Sequence, residues 1–403
     1  MKKSALGIAF FATIVQYYDY ALFGMSASFL TKAYMPRFSS GHEMLGFFSI
    51  ISGAALMRPL GSLIFGYIGD LGSKANALKL SVLVAAISTL VIGIIPENKS
   101  LLSACFLVMA RMIFMMSMAG ESDGVRLYVA EIIGRRREFA GNGLVTFSSQ
   151  IGVLIASFAY FASTRSNMPE YLWRINFIAG GICGIGIFIL RRYLPVNNSL
   201  AKPQLTKDEV IKDAPVITAR LFILATIIAG CIGGMYHFQV IFFGVFMSQM
   251  ACMMTLEHAA AFNVIGVAIY AICAIISGFL GDRYGPRRQI ILSLALTILL
   301  GAALCISPSM YASLCVTALI PFYSVPLQIL IKRMMPSHIM LRSFSLSHSL
   351  GSMIFSASVP MVASFLWYNT HEVWVPIMYV ALMGGVLLIS YFLLTTRSRR
   401  HAR

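Results

Sequence analysis

The sequence predicts an all-α protein that crosses a membrane many times, and three observations carry that prediction. Of its 403 residues, 58% are hydrophobic and only 11% are charged, against roughly 25% charged in soluble domains. Mean hydropathy is +0.81. The apolar residues fall in runs of about 20 or more, the length a helix needs to cross a bilayer, and the cations gather between those runs. The formal charge of +16 is therefore read as membrane topology under the positive-inside rule. No nucleic-acid partner is expected; the bilayer is.

The runs, in order, are 5–33, 44–68, 77–96, 101–130, 142–164 and 171–194, then 217–248, 258–281, 289–307, 311–331, 343–367 and 373–395. They make twelve transmembrane helices in two six-helix halves, 1–194 and 217–403, joined by a polar linker at 195–216 that opens on Pro195. The first run follows Met1-Lys2-Lys3 like a signal peptide, but it is too long and contains Asp19, so it is expected to stay as the first helix. Segments such as Lys74–Lys79, Arg135–Arg137, Arg191–Arg192 and Arg397–Arg400 hold most cations, and the alternate loops hold only Lys32, Arg37, Lys99, Arg165 and Arg174. Both termini are thus expected in the cytoplasm, of a bacterial inner membrane. Trp173, Trp367 and Trp374 then fall at outer helix ends, as an aromatic belt requires. The seven cysteines have no metal spacing and are expected to be small core residues.

Two short stretches organise the halves. Gly278–Arg288 reads Gly-Phe-Leu-Gly-Asp-Arg-Tyr-Gly-Pro-Arg-Arg, and Gly66–Lys74 is a looser copy, Gly-Tyr-Ile-Gly-Asp-Leu-Gly-Ser-Lys. Each sits between two apolar runs, where glycine permits a tight turn and close helix approach. Ser148-Ser149-Gln150-Ile151-Gly152 and Ser347-His348-Ser349-Leu350-Gly351 echo each other in the fifth and eleventh runs. Asp70 and Asp282, with Arg283, Arg287 and Arg288, are the charged residues of these turns, and the two aspartates either cap the turns locally or act on another helix at the cytoplasmic face. The carboxylates would sit against the N-termini of the eleventh and fifth helices, where the helix dipole favours an anion.

At this point the chain resembles the major facilitator superfamily, and within it the metabolite:proton symporters of proline, betaine, shikimate, citrate and 2-oxoglutarate. Gln16-Tyr17-Tyr18-Asp19-Tyr20-Ala21-Leu22-Phe23-Gly24 is similar to that family's first-helix signature, and Arg58-Pro59-Leu60-Gly61 to its R-P-L-G. Arg111, Gly120-Glu121 and Tyr128-Val129-Ala130-Glu131 follow its fourth-helix pattern, and Pro336 and Arg342 its stretch before the eleventh helix. Gln16 stands where the family has an acid, Phe114-Met115 replace Gln-Gly, Ser73 replaces glycine, and Asp123 and Arg126 are charges at small or neutral positions. The resemblance implies rocker-switch transport of a small molecule driven by protons, by a monomer without cofactor. It also implies Asp70, Asp282, Arg283, Arg287, Arg288, Asp123 and Arg126 as gating candidates, with each turn aspartate meeting the opposite half only while the cytoplasmic side is closed.

Charges inside hydrocarbon cost about 2.5–3.5 kcal/mol on insertion scales, so each is a functional candidate. Asp19 lies some fifteen residues into its helix and shares a face with Gln16 and Phe23; it either exchanges a proton or braces a neighbouring helix. Arg111 lies at similar depth and either holds an anionic substrate or makes a structural ion pair. Glu121 is expected to reach a cavity, and Asp123 and Arg126, three residues apart, to pair. Arg58 is expected to satisfy the carbonyl freed by Pro59. In the second half the polar candidates are His237, with Tyr236, Gln239, Asn263, Gln328 and His348; Pro321 and Pro326 should bend the tenth helix.

No Walker A sequence, H-E-x-x-H or serine-triad motif occurs, so neither an ATPase nor another enzyme is expected. The expected function is proton-coupled symport of an anionic or zwitterionic metabolite: an organic acid, proline or betaine. A proton-coupled exporter of cationic compounds, or a non-transporting membrane sensor, are the alternatives.

Overall fold

The computed structural model describes residues 2–34, 53–72, 74–97, 100–163, 168–169, 171–192, 219–336 and 339–400. The linker at 195–216, residues 44–52 of the second run and the end of the tail lie outside the described residues.

The described residues contain helices and no strand. Those that follow the first six runs are α1 (Lys2–Met25), α2 (Ala27–Tyr34), α3 (Met57–Leu71), α4 (Lys74–Ile94), α5 (Leu101–Ile133), α6 (Glu138–Ser163) and α7 (Leu172–Arg192). The second six give α8 (Ala219–Tyr236), α9 (Leu256–Tyr284), α10 (Pro286–Ile306), α11 (Met310–Met334), α12 (Met340–Gly351), α13 (Val359–Thr370) and α14 (Trp374–Arg400). Eleven stretches among the described residues are long and apolar enough to cross a membrane. The remaining run is represented by α3, whose first predicted residues lie outside the described set.

Local chemistry sets the ends. Ser100 caps α5 by accepting the Ser103 N–H at 3.2 Å, and Thr255 caps α9 by accepting that of His258 at 3.3 Å. Gly285 has φ +79° and is followed by Pro286 at the start of α10, so the turn after Asp282 uses the left-handed freedom of glycine and the preset φ of proline. Pro59 falls in the first turn of α3, and the Ala55 carbonyl four residues before it accepts the backbone N–H of Arg58. A backbone N–H thus meets the carbonyl that proline frees. In α11 the missing N–H of Pro326 leaves the Phe322 carbonyl open, and Gln289 Nε2 donates to it at 3.0 Å.

The seventh and eleventh runs are not uniform α-helix. Wider π turns occupy His237–Phe242, Phe246–Met250 and Ser352–Ser356, a geometry that collects at functional sites.

The chain packs as two compact units. The first comprises Met1–Arg135, Ser148–Val216 and Met335–Leu346; the second comprises Arg136–Phe147, Ile217–Met334 and Ser347–Arg403. Each unit is therefore one half of the sequence with the opening turns of a helix from the other half: α12 in the first, α6 in the second. In the first unit α4 packs on α5 and α7, α3 on α5, and α1 on α5 and α7. Gly181 and Gly184 of α7 sit directly on Leu90 and Ala86 of α4, the small-residue contact that lets membrane helices approach. In the second unit α9 packs on α11, and α10 on α11 and α14.

Two expectations change. Trp173 is buried, packed edge-on against Tyr34 and Phe177, so it is core rather than part of an interfacial belt. Of the cysteines only Cys231 is buried, while Cys105, Cys183, Cys252 and Cys315 are exposed. Helices that are apolar all round give no sequence cue to which face meets lipid.

Candidate functional site

The first unit carries a buried polar centre on α1, α4, α5 and α7. Asp19 projects from α1 and is 3% exposed. Its Oδ2 accepts from Thr89 Oγ1 of α4 at 3.2 Å, while Oδ1 has no hydrogen-bond partner among the described residues. That oxygen rests on Gly180 of α7, so closely that a β-carbon built there would lie 2.1 Å from it. Gln16, one turn earlier on α1, is equally buried, and neither end of its amide finds a partner among the described residues. A buried amide left unpaired costs on the order of 1–3 kcal/mol.

Arg111 of α5 is 2% exposed. Its guanidinium lies 4.2 Å from the Phe23 ring centre, 4.9 Å from Phe114 and 5.3 Å from Tyr20. Nη2 donates to the Tyr20 carbonyl at 3.4 Å, and Nε has no acceptor among the described residues. Stacked rings stabilise a desolvated guanidinium by cation–π attraction and leave its N–H edge for an acceptor. Asp19 and Arg111 feel each other's charge, yet neither has an ion-pair partner among the described residues.

Glu121 lies elsewhere, ten residues or about 15 Å further along α5. Arg191 of α7 grips its carboxylate with both terminal nitrogens, one at 2.7 Å, and Ser81 donates to it at 3.0 Å. Arg191 also donates to the Leu78 carbonyl at 2.6 Å. This fully buried pair ties α4, α5 and α7 together. Asp123 and Arg126 are buried on the same helix.

In the second unit His237 opens the first π turn, its Nδ1–H donating to the Gly233 carbonyl at 2.8 Å. Gln239 in that turn accepts from Ser313 at 2.6 Å, and Asn263 donates to the Val240 carbonyl at 2.7 Å. Gln239 Nε2 and Asn263 Oδ1 have no partners among the described residues and lie beside a cavity of about 20 Å³, room for about one water.

The paired turns are seats for helix N-termini. In the first unit Gly66, Gly69 and Asp70 share one face of α3. The glycines lie against Arg342 and Leu341, whose backbone N–H groups donate to Asp70 at 3.0 and 3.1 Å. Ser345 completes the seat by donating to the Ala119 carbonyl at 2.9 Å. In the second unit Gly278, Gly281 and Asp282 of α9 repeat the pattern. The glycines lie against Phe139 and Ala140, whose N–H groups donate to Asp282 at 3.2 and 2.8 Å. Lys332 and Arg333 of α11 hold Glu138, the first residue of α6. Both carboxylates thus cap a helix start in trans, each satisfying two N–H groups that no helix can satisfy for itself. Arg283 lies over Tyr284, 5.2 Å from its ring centre, and Arg287 and Arg288 are exposed.

The sequence profile of the Major Facilitator Superfamily matches residues 9–360. The chain belongs to the Major Facilitator Superfamily. It is an all-α, multi-pass membrane protein and not an enzyme. Among curated members, it is 25% identical to the proline/betaine transporter of Salmonella typhimurium, over 96% of this chain and 82% of that one. It is 23% identical to the citrate-proton symporter of Klebsiella pneumoniae, over 87% and 82%. Of solved structures, the proton:xylose symporter XylE superimposes with a TM-score of 0.76 at 16% identity, covering 97% of this chain and 95% of XylE. FucP in its outward conformation gives 0.73 at 11%, covering 97% and 98%.

Within this superfamily chain, sequence reasoning located Asp19, Gln16 and Arg111 but not their surroundings. Thr89 carries no signal, because a helical threonine ordinarily bonds back to its own turn; here the Ala85 carbonyl, 3.1 Å from Oγ1, shares the one hydroxyl proton with Asp19. Gly180 is one glycine in the run Gly180-Gly181-Ile182-Cys183-Gly184. Arg191 reads as one more flanking cation, and only the fold brings it to Glu121.

Proposed function

We propose that this chain, a multi-pass transporter of the Major Facilitator Superfamily, is a proton-coupled symporter of a small anionic or zwitterionic metabolite. One observation carries the reading: a buried carboxyl and a buried guanidinium on adjoining helices, neither in an ion pair among the described residues. Asp19 is the proton site. Arg111 presents its free N–H edge to a substrate carboxylate, and the unpaired amide of Gln16 gives that substrate a second hydrogen bond. The relatives that transport proline, betaine and citrate support this substrate class, since each of those compounds bears a carboxylate.

Asp70 and Asp282 are the gate. Each holds a helix start through two backbone hydrogen bonds, and releasing both lets the cytoplasmic side open during alternating access. His237, Asp123 and Arg126 are secondary candidates: His237 beside the π turns for substrate or proton, the α5 pair for gating. The protein lies in the bacterial inner membrane with both termini in the cytoplasm and works as a monomer. Proteoliposomes given labelled proline, glycine betaine or citrate, with and without an inward proton gradient, test the proposal. Gradient-stimulated accumulation of at least one carboxylate is expected; efflux of cations, or no transport of any compound, would overturn it.

A further inference from the structure

Asp19 is held by two contacts that no charge supplies. Thr89 Oγ1 donates to Oδ2 at 3.2 Å from α4. From α7, Gly180 offers a bare backbone against Oδ1, and a β-carbon there would stand 2.1 Å from that oxygen and 3.0 Å from the Tyr18 ring. Tyr18 is itself fixed, its hydroxyl donating to the Asn176 carbonyl at 3.0 Å. An added methyl at Gly180 therefore meets the loose end of a carboxyl side chain and drives it from its seat, leaving the helices in place. The other groups around Asp19 are few. Arg111 on α5 acts on it through charge, and Tyr18 beside it on α1 has Cys183 of α7 as neighbour. The α6 helix meets this region through Gly152 against Ile14 and Tyr18 and brings no charged group to Asp19.

We propose that Gly180 and Thr89 are positioning residues for the Asp19 carboxyl, setting where its proton is held and when it is released. The inference rests on the reading of Asp19 as the proton site. Gly180 leaves room for Oδ1 against a bare backbone, and Thr89 orients Oδ2, so the medium that the proton sees is set by two residues that never carry it. The neighbouring Gly181 gives the control: a β-carbon there would lie 2.4 Å from Leu90 of α4, a comparable packing insult on the same helix, directed at α4 rather than α1 and away from Asp19.

The test needs no transported compound. Infrared difference spectra of the purified protein in liposomes, recorded across a pH titration, show protonated carboxyl bands, and the band that Asp19→Asn removes belongs to Asp19. Its midpoint is then followed in Gly180→Ala, Thr89→Val and Gly181→Ala. A shift of at least about half a pH unit is expected in the first two, since hydrogen bonding and desolvation are the terms being changed, with the Gly181→Ala midpoint unchanged. If Asp19→Asn removes no titrating band, the proton-site reading fails, and this inference with it. If the band exists but its midpoint is unmoved in Gly180→Ala and Thr89→Val, or moves as far in Gly181→Ala, the inference alone fails. A shift in only one of the two removes the other from the role. Thr89→Val keeps the side-chain shape and the backbone, so the question stays answerable even if Gly180→Ala does not fold.

Discussion

Asp19, Arg111 and Glu121 are three buried charges with three different arrangements, and each makes its own prediction. Asp19 accepts one hydrogen bond and has no ion-pair partner, so Asp19→Asn should keep the side chain's size and the fold while abolishing gradient-driven accumulation. Exchange of labelled for unlabelled substrate without a gradient should persist; normal accumulation by this variant would move the proton site elsewhere. Arg111→Lys keeps the charge but loses the planar fork, and its KM for a carboxylate substrate should rise about tenfold, or 1.4 kcal/mol, with membrane yield unchanged. Glu121 is different because Arg191 already neutralises it. Removing one member of a buried pair strands the other, at a cost of about 3–5 kcal/mol, so Glu121→Gln should markedly lower the melting temperature in detergent. A Glu121→Gln protein as stable as the parent would refute the structural role. The depth of all three residues was legible by counting along a helix, because rise per residue is fixed. Their partners were not, because a helical face does not say which neighbour it meets.

At the scale of elements, the repeated Gly-x-x-G-Asp of α3 and α9 was readable as a duplicated turn. The capping of α12 and α6 agrees with what a carboxylate at a helix start should do. Each such carboxylate stabilises a helix end by 0.3–1 kcal/mol, up to ~2 kcal/mol when partly buried, and ~2 kcal/mol changes a two-state ratio about thirtyfold. Asp282→Asn, made in a cysteine-free background with one reporter thiol on each side of the membrane, should label more from the cytoplasm and less from outside. Asp70→Asn should do the same. Unchanged labelling from both sides would reduce the two aspartates to local caps. The background matters, since Cys105, Cys183, Cys252 and Cys315 are exposed. The π turns after α8 and α12 had no sequence signal: the extra residue per turn is accommodated by packing and by side-chain donors such as Asn263 to Val240, not by composition.

For the whole molecule, the positions of the long helices followed from hydropathy with little loss, since few other segments can satisfy their backbone in hydrocarbon. Inside and outside were harder. Ile306, Tyr311 and Leu299 are 88%, 74% and 67% exposed, yet sequence makes them look as buried as the true core. The topology itself is testable with reporters: one fused after Arg403 or within 200–212 should be cytoplasmic, and one near Pro169 external. A C-terminal reporter found outside would undo the arrangement of two six-helix halves of the same orientation.

The trans caps also bear on how the chain is made. Asp70 emerges from the ribosome 271 residues before Leu341, the nearer of the two groups that satisfy it. At roughly 5–20 residues per second, its carboxylate waits on the order of 15–50 s, while the N–H groups of Phe139 and Ala140 wait for Asp282, 143 and 142 residues behind them. Neither half can therefore mature alone during synthesis. The final lock on the first-made helices closes only after most of the last-made ones have been inserted, and a chain interrupted before Met335 would leave Asp70 without its cap, a natural mark of an unfinished protein.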